Sequence, residues 1–138
     1  MPVDDLNVIM TTDSPPSARK YDLEDRTLAF ADRTREWIRK LPKTLVNVED
    51  CKQLLRSSGS VGANYREANN AISKADFIYR VRICRKEAKE SEYWFQLIRA
   101  PFGSDLEKER AMLMQEAKEL RLIFAAIILK YEKKPAKT

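Results

Sequence analysis

Cys51, Leu54, Leu55, Ser58, Val61, Gly62, Tyr65, Ala68 and Ile72 recur at steps of three and four, the spacing of one face of an α-helix. The phase passes unbroken through SSGSVGAN, residues 57–64, which holds two of the chain's three glycines. Out of context that stretch reads as a linker or a phosphate-cradling loop. No strand-like run precedes it, however, and no Lys-Ser/Thr pair ends it, as a nucleotide-binding loop requires. An interior helical glycine costs about 1 kcal/mol against alanine, so two in four residues point to close packing. Gly62 falls on the core stripe, where a neighbouring helix or a large side chain can approach. Gly59 and Ala63, one turn apart, lie to one side, where a second surface can come close.

Turn chemistry is scarce elsewhere too. Pro2, Pro15, Pro16 and Pro135, four of the six prolines, sit near the ends, which favours long helices over a β fold. A first helix is predicted from about Asp22 to Leu41, burying Leu23, Thr27, Phe30, Thr34, Trp37, Ile38 and Leu41 and stopped by Pro42. The second starts at Asn47, a candidate cap with Asp50 three residues on. Ser73 with Asp76 opens a third to about Ala100, with Phe77, Val81, Cys84, Ala88, Ser91, Phe95 and Ile98 inward, ended by Pro101 and Gly103. Ser104 with Glu107 caps a fourth, to about Lys133, on Leu106, Leu113, Ala117, Leu120, Phe124, Ile127 and Tyr131. Such helices with short connections predict an all-α, antiparallel up-down-up-down four-helix bundle over residues 21–134. A disordered or loosely docked tail over 1–20 and a frayed end over 135–138 would flank it.

Composition removes several function classes. The chain has no histidine, the commonest general base and metal ligand, so Ser-His, Cys-His and most zinc constellations are excluded. The two cysteines, Cys51 and Cys84, have no metal-like spacing and fall on core stripes, as small buried hydrophobes do. Neither a secretory signal nor an apolar run of membrane length is visible; LIFAAIIL at 122–129 is too short. A cytoplasmic location follows as the expectation, with reduced thiols. No catalytic residue, metal site or cofactor is expected.

Charge is more informative by position than in total. Residues 74–100 carry seven basic and four acidic side chains, so most of the chain's net charge of +5 sits on the third helix. Arg82, Arg85, Lys86 and Lys89 share one face of it, with Tyr93 alongside. A solvated face is the plain reading; repeated in a symmetric oligomer, the patch would suit RNA or DNA. No base-reading motif accompanies it, so binding would be backbone-driven and salt-sensitive. Beside the core stripe, Ile83, Trp94 and Leu97 line up with Glu87 and Glu90 among them. This flank favours an oligomer interface over a wider core. Glu87 and Glu90 are expected to make ion pairs, with Arg80 or a neighbouring chain, rather than to hold a metal.

The run RSSGSVGANYREANNAISKADFIYRVRICRKEAKESEYWFQLI resembles the signature of the four helix bundle protein family, relatives of proteins encoded by intervening sequences in bacterial large-subunit ribosomal RNA genes. The likeness is carried by Arg56, Ser57, Ser60 to Ala68, Ser73 to Phe77, Lys86, Glu87, Ala88, Glu90, Ser91, Tyr93 and Trp94. Asn69, Asn70 and Ile72 depart from it, and the N-terminal tail is not part of it. The resemblance implies an antiparallel bundle and, in several relatives, ring-like homopentamers. A related branch, the accessory variability determinant of diversity-generating retroelements, is a basic pentamer that binds a reverse transcriptase and nucleic acid. No catalytic residues come with the resemblance.

Together these readings describe a non-enzymatic homo-oligomer, a pentamer for preference. Arg82, Arg85, Lys86 and Lys89 would contact RNA or DNA, or a protein such as a reverse transcriptase, with no membrane role. Gly59, Ala63, Ile83, Trp94 and Leu97 would form the oligomer interface. The alternative is a structural protein–protein adaptor whose charge is incidental.

Overall fold

The computed structural model describes residues 16–132. Four α-helices fill it: α1 (Pro16–Arg39), α2 (Leu45–Asn69), α3 (Lys74–Leu97) and α4 (Asp105–Glu132), and no strand is found among the described residues. The tail expected over 1–20 is described only from Pro16, and its last five residues are the opening of α1. Residues 1–15 and the end expected to fray, 135–138, lie outside the described residues.

Each helix packs against its sequence neighbours and α1 closes onto α4, while the pairs α1/α3 and α2/α4 make no backbone approach. Short connections force consecutive helices to run antiparallel, the up-down-up-down bundle that the apolar periodicity predicts. Two of the predicted caps form. The Ser73 hydroxyl accepts from the Asp76 amide at 3.0 Å, and the Ser104 hydroxyl accepts from Glu107 at 3.1 Å, each satisfying a donor the helix start leaves free.

The third cap differs. α2 starts two residues earlier than predicted because Thr44, not Asn47, is the cap, its hydroxyl accepting from the Asn47 amide. Asn47 is buried instead. Its Nδ2 donates to the carbonyls of Pro42 and Arg99, which ties the α1–α2 corner to the α3–α4 junction at one end of the bundle. Ile72 also leaves the predicted stripe: α2 ends at Asn69, so Ile72 falls in the turn and is 94% exposed. α3 stops at Leu97, three residues short of Ala100, with Ile98 already extended as the chain approaches Pro101.

The inward residues otherwise follow the expected stripes. Phe30, Trp37 and Phe95 make a tilted aromatic cluster, and the buried Trp37 indole donates to the Leu106 carbonyl at 2.9 Å. Tyr65 packs on Phe124 and Phe77 on Tyr131 near the opposite end. SSGSVGAN is the middle of α2, and Gly62 lies tight against α1: a Cβ there would lie 2.9 Å from Thr27 Oγ1 and 3.2 Å from its Cβ. Thr27 cannot easily yield, being fully buried and hydrogen-bonded to the Glu24 carbonyl.

Candidate nucleic-acid and assembly surfaces

α3 contributes most of the candidate residues, and its neighbours α2 and α4 decide which way each side chain turns. At 100° per residue, Glu87, Glu90, Ile83, Trp94 and Leu97 fall on the flank toward α2, whereas Arg85 and Glu92 fall toward α4. Every carboxylate of α3 is engaged within the chain. Glu87 Oε2 and Glu90 Oε1 accept from the two terminal nitrogens of Arg56, at 3.2 and 3.1 Å. Glu92 takes the Arg121 guanidinium. Asp76 accepts from the Ile72 amide across the α2–α3 turn.

Arg56 is thus the partner that sequence reasoning missed: the prediction for Glu87 and Glu90 named Arg80. Arg80 donates instead to the Asn64 side chain at 3.2 Å. Helical spacing shows which residues share a face of one helix, but not the register between two helices 31 residues apart. Below this ion pair the seam is built from hydroxyls, with Ser57 and Ser91, both fully buried, 2.8 Å apart. Glu87 Oε1 and the Trp94 indole N–H are enclosed without a hydrogen-bond partner among the described residues.

The basic face has the opposite character. Arg82, Arg85, Lys86 and Lys89 are all exposed. Arg82 pairs with Glu132 near the end of α4, so its charge is shared. Arg85, Lys86 and Lys89 have no carboxylate within ion-pair distance among the described residues. Tyr79 and Tyr93, more than half exposed, stand on the same outward face.

The residues predicted for assembly do not form one uniform surface. Ala63 is exposed and Leu97 is 41% exposed. Ile83 and Trp94 are half-buried, Trp94 packing against the core. Gly59 lies beneath the Arg35 guanidinium of α1, which a Cβ would meet at 3.1 Å, so its missing side chain serves contact within the chain.

Other features carry no chemistry of their own. Burial pushes the Cys84 and Cys51 thiols, and the Tyr65 phenol, above their ordinary ionisation ranges, so the thiols behave as small apolar groups. An open pocket of about 310 Å³ at the α1–α2 corner presents mainly apolar surface from Ile38, Leu41, Val48, Cys51 and Leu55, with Arg39, Lys43 and Lys52 also in its lining. Among the described residues no three His, Cys, Asp or Glu side chains are grouped to hold a metal. No described helix is long and apolar enough to cross a membrane.

Comparison with known proteins adds a family and a fold relative. Residues 19–125 match the model of the 23S rRNA-intervening sequence protein. A crystal structure from Bacteroides thetaiotaomicron, of a protein with unknown function from the S23 ribosomal protein family, is 36% identical. It aligns over 80% of this chain and 97% of its own, with a TM-score of 0.64. No curated protein matches the chain.

Proposed function

The chain belongs to the 23S rRNA-intervening sequence protein family, and from that premise we propose a non-enzymatic, oligomeric bundle that binds nucleic acid through the outward face of α3. One observation carries the reading. All four carboxylates of α3 are turned to partners within the chain, which leaves Arg85, Lys86 and Lys89 as unshared positive charge on an exposed face. Such a row neutralises phosphates and releases their counterions. Arg82 joins it by breaking from Glu132. Self-association through Ala63, Ile83, Trp94 and Leu97, with a pentamer favoured, would repeat the row around an axis and strengthen its field. The same face would suit a protein that itself handles nucleic acid, a reverse transcriptase for instance.

Titration of a labelled RNA or DNA against salt tests the proposal. Affinity is expected to fall from about 50 to about 200 mM salt by roughly 40-fold for duplex DNA and roughly 20-fold for a single strand, the release expected for about three phosphates. It should collapse in Arg85→Gln/Lys86→Gln/Lys89→Gln. Absence of binding at low salt, or a triple variant that binds normally, rejects it. Solution mass tests the assembly, which a monomer at micromolar concentration would defeat.

A second reading, a protein–protein adaptor, is favoured by the end of the bundle that Asn47 ties together. Leu45, Val46 and Phe102 stand there 79%, 65% and fully exposed, an apolar group that phosphate binding does not use.

A further inference from the structure

We propose that the outward face of α3 takes an unpaired strand, with bases stacked on Tyr79 and Tyr93 and phosphates held by the cations between them. This rests on the nucleic-acid reading and specifies its ligand. Tyr79, Arg82, Lys86, Lys89 and Tyr93 follow one another at steps of three, four, three and four, so they form one stripe along the helix. The stripe is about 21 Å long at 1.5 Å per residue, room for a few nucleotides of an extended strand. Arg85 flanks it on the α4 side.

The two tyrosines are what a phosphate-only surface would not need. Tyr79 is 58% exposed and Tyr93 53%, and each is already held by its neighbour. The Arg80 guanidinium lies 5.7 Å from the Tyr79 ring centre. Tyr93 meets the half-buried Trp94 edge-on, at 5.0 Å between ring centres. Both rings are therefore steadied while most of their surface stays in water, which lowers the ordering cost of stacking a base on them. A duplex offers its phosphates to such a stripe but keeps its base faces inside the stack. Unpaired nucleotides offer both, and aromatic rings interleaved with cations suit them.

The test measures fluorescence anisotropy of a labelled 20-nucleotide single strand, and of the same strand in a duplex, against the full chain. The wild type, Tyr79→Ala, Tyr93→Ala, Tyr79→Phe/Tyr93→Phe and the triple glutamine variant are compared. The single strand should bind about tenfold more tightly than the duplex, and each Tyr→Ala should cost about tenfold on the single strand alone. The Phe pair should keep the affinity, since stacking needs the ring and not the hydroxyl. Equal binding of strand and duplex, or Ala variants that bind the strand normally, overturns the inference. If the triple variant still loses binding in that case, phosphate recognition stands without stacking. No binding of either probe removes both readings, and capture of a polyglutamate chain instead would assign the face to an acidic protein.

Discussion

Glu87 and Lys86 are adjacent in the sequence, yet they belong to two environments that obey different energetics. The seam of α3 with α2 is enclosed and its charges are paired, Arg56 bridging Glu87 and Glu90 and Ser57 meeting Ser91 beneath them, although Glu87 Oε1 and the Trp94 indole N–H find no partner among the described residues. The outward face is wet and, Arg82 with its Glu132 partner apart, its cations have no carboxylate within ion-pair distance among the described residues, with tyrosines at either end. Both regions are dense in charge. In the first, charge is spent on holding two helices together. In the second, it is left available. The helix's excess of basic residues therefore matters less than the direction its four carboxylates take, because that direction leaves Arg85, Lys86 and Lys89 without an anion of their own helix beside them.

Replacing Arg56 by Ala should break the contrast most strongly. Glu87 is 8% exposed, and without the guanidinium its carboxylate would be left enclosed and unpaired. Removing one partner of a buried pair costs several kcal/mol. Because Arg56 itself is half exposed, a cost of about 2 to 3 kcal/mol is expected, lowering Tm by roughly 8 °C. Thermal unfolding by circular dichroism would show it. A stability close to wild type would mean that the seam is held by packing alone and that the two regions differ less than their geometry implies.

The glycines of α2 give the next largest effect, and they also show where the sequence was readable. Gly62→Ala gains helix propensity of about 1 kcal/mol, but its methyl would press on the buried Thr27 at 2.9 Å. Overpacking of this kind costs about 1 to 3 kcal/mol. Gly59→Ala meets only the flexible end of Arg35 and keeps the propensity gain. The two variants should move stability in opposite directions, separated by about 2 kcal/mol; denaturant midpoints measure the difference.

Periodicity placed Gly62 on the core stripe and predicted all four helices, because burial is written in the spacing of single helices. It took Gly59 for an outer position, since the arginine that covers it comes from another helix. The same limit hid Arg56 as the partner of Glu87, and hid Asn47 as a clasp between two loops rather than a cap. Arg85, Lys86 and Lys89 were legible because their exposure follows from their own helix, whereas the pairing of Arg82 with Glu132 of α4 was not.

Alkaline pH should weaken the inward face. Burial raises the Cys84 thiol above its ordinary value, as it does Cys51 and Tyr65. In the unfolded chain these groups ionise at their usual pH while the folded chain holds them neutral, so the unfolded state loses protons first. Stability contributed by Cys84 is full below the ordinary thiol range and declines as pH rises through it, by about 1.4 kcal/mol per pH unit. Between about pH 8 and pH 10 a loss of about 2 kcal/mol is expected from Cys84, with Cys51 adding in the same direction. Urea midpoints across that range test it, and Cys84→Ala should flatten the slope even though it lowers stability at neutral pH. An unchanged slope in that variant would place the alkaline sensitivity elsewhere.

Lys86→Ala should do least to stability and so defines the outward face most sharply. The side chain is exposed and has no carboxylate partner among the described residues, so its removal takes away neither an ion pair nor buried surface. Alanine is also the better helix former. A stability change within about 0.5 kcal/mol is expected, against the larger loss at Arg56. Nucleic-acid affinity should respond the other way, falling several-fold at low salt with a salt slope reduced by about 0.7 on a single strand. Measured on one preparation, the pair Arg56→Ala and Lys86→Ala separates holding from binding. If Lys86→Ala lowers Tm by several degrees, and does so only at high protein concentration, the lysine lies in a contact between copies. The outward face would then be an assembly surface, and phosphate binding would have to be sought on another helix.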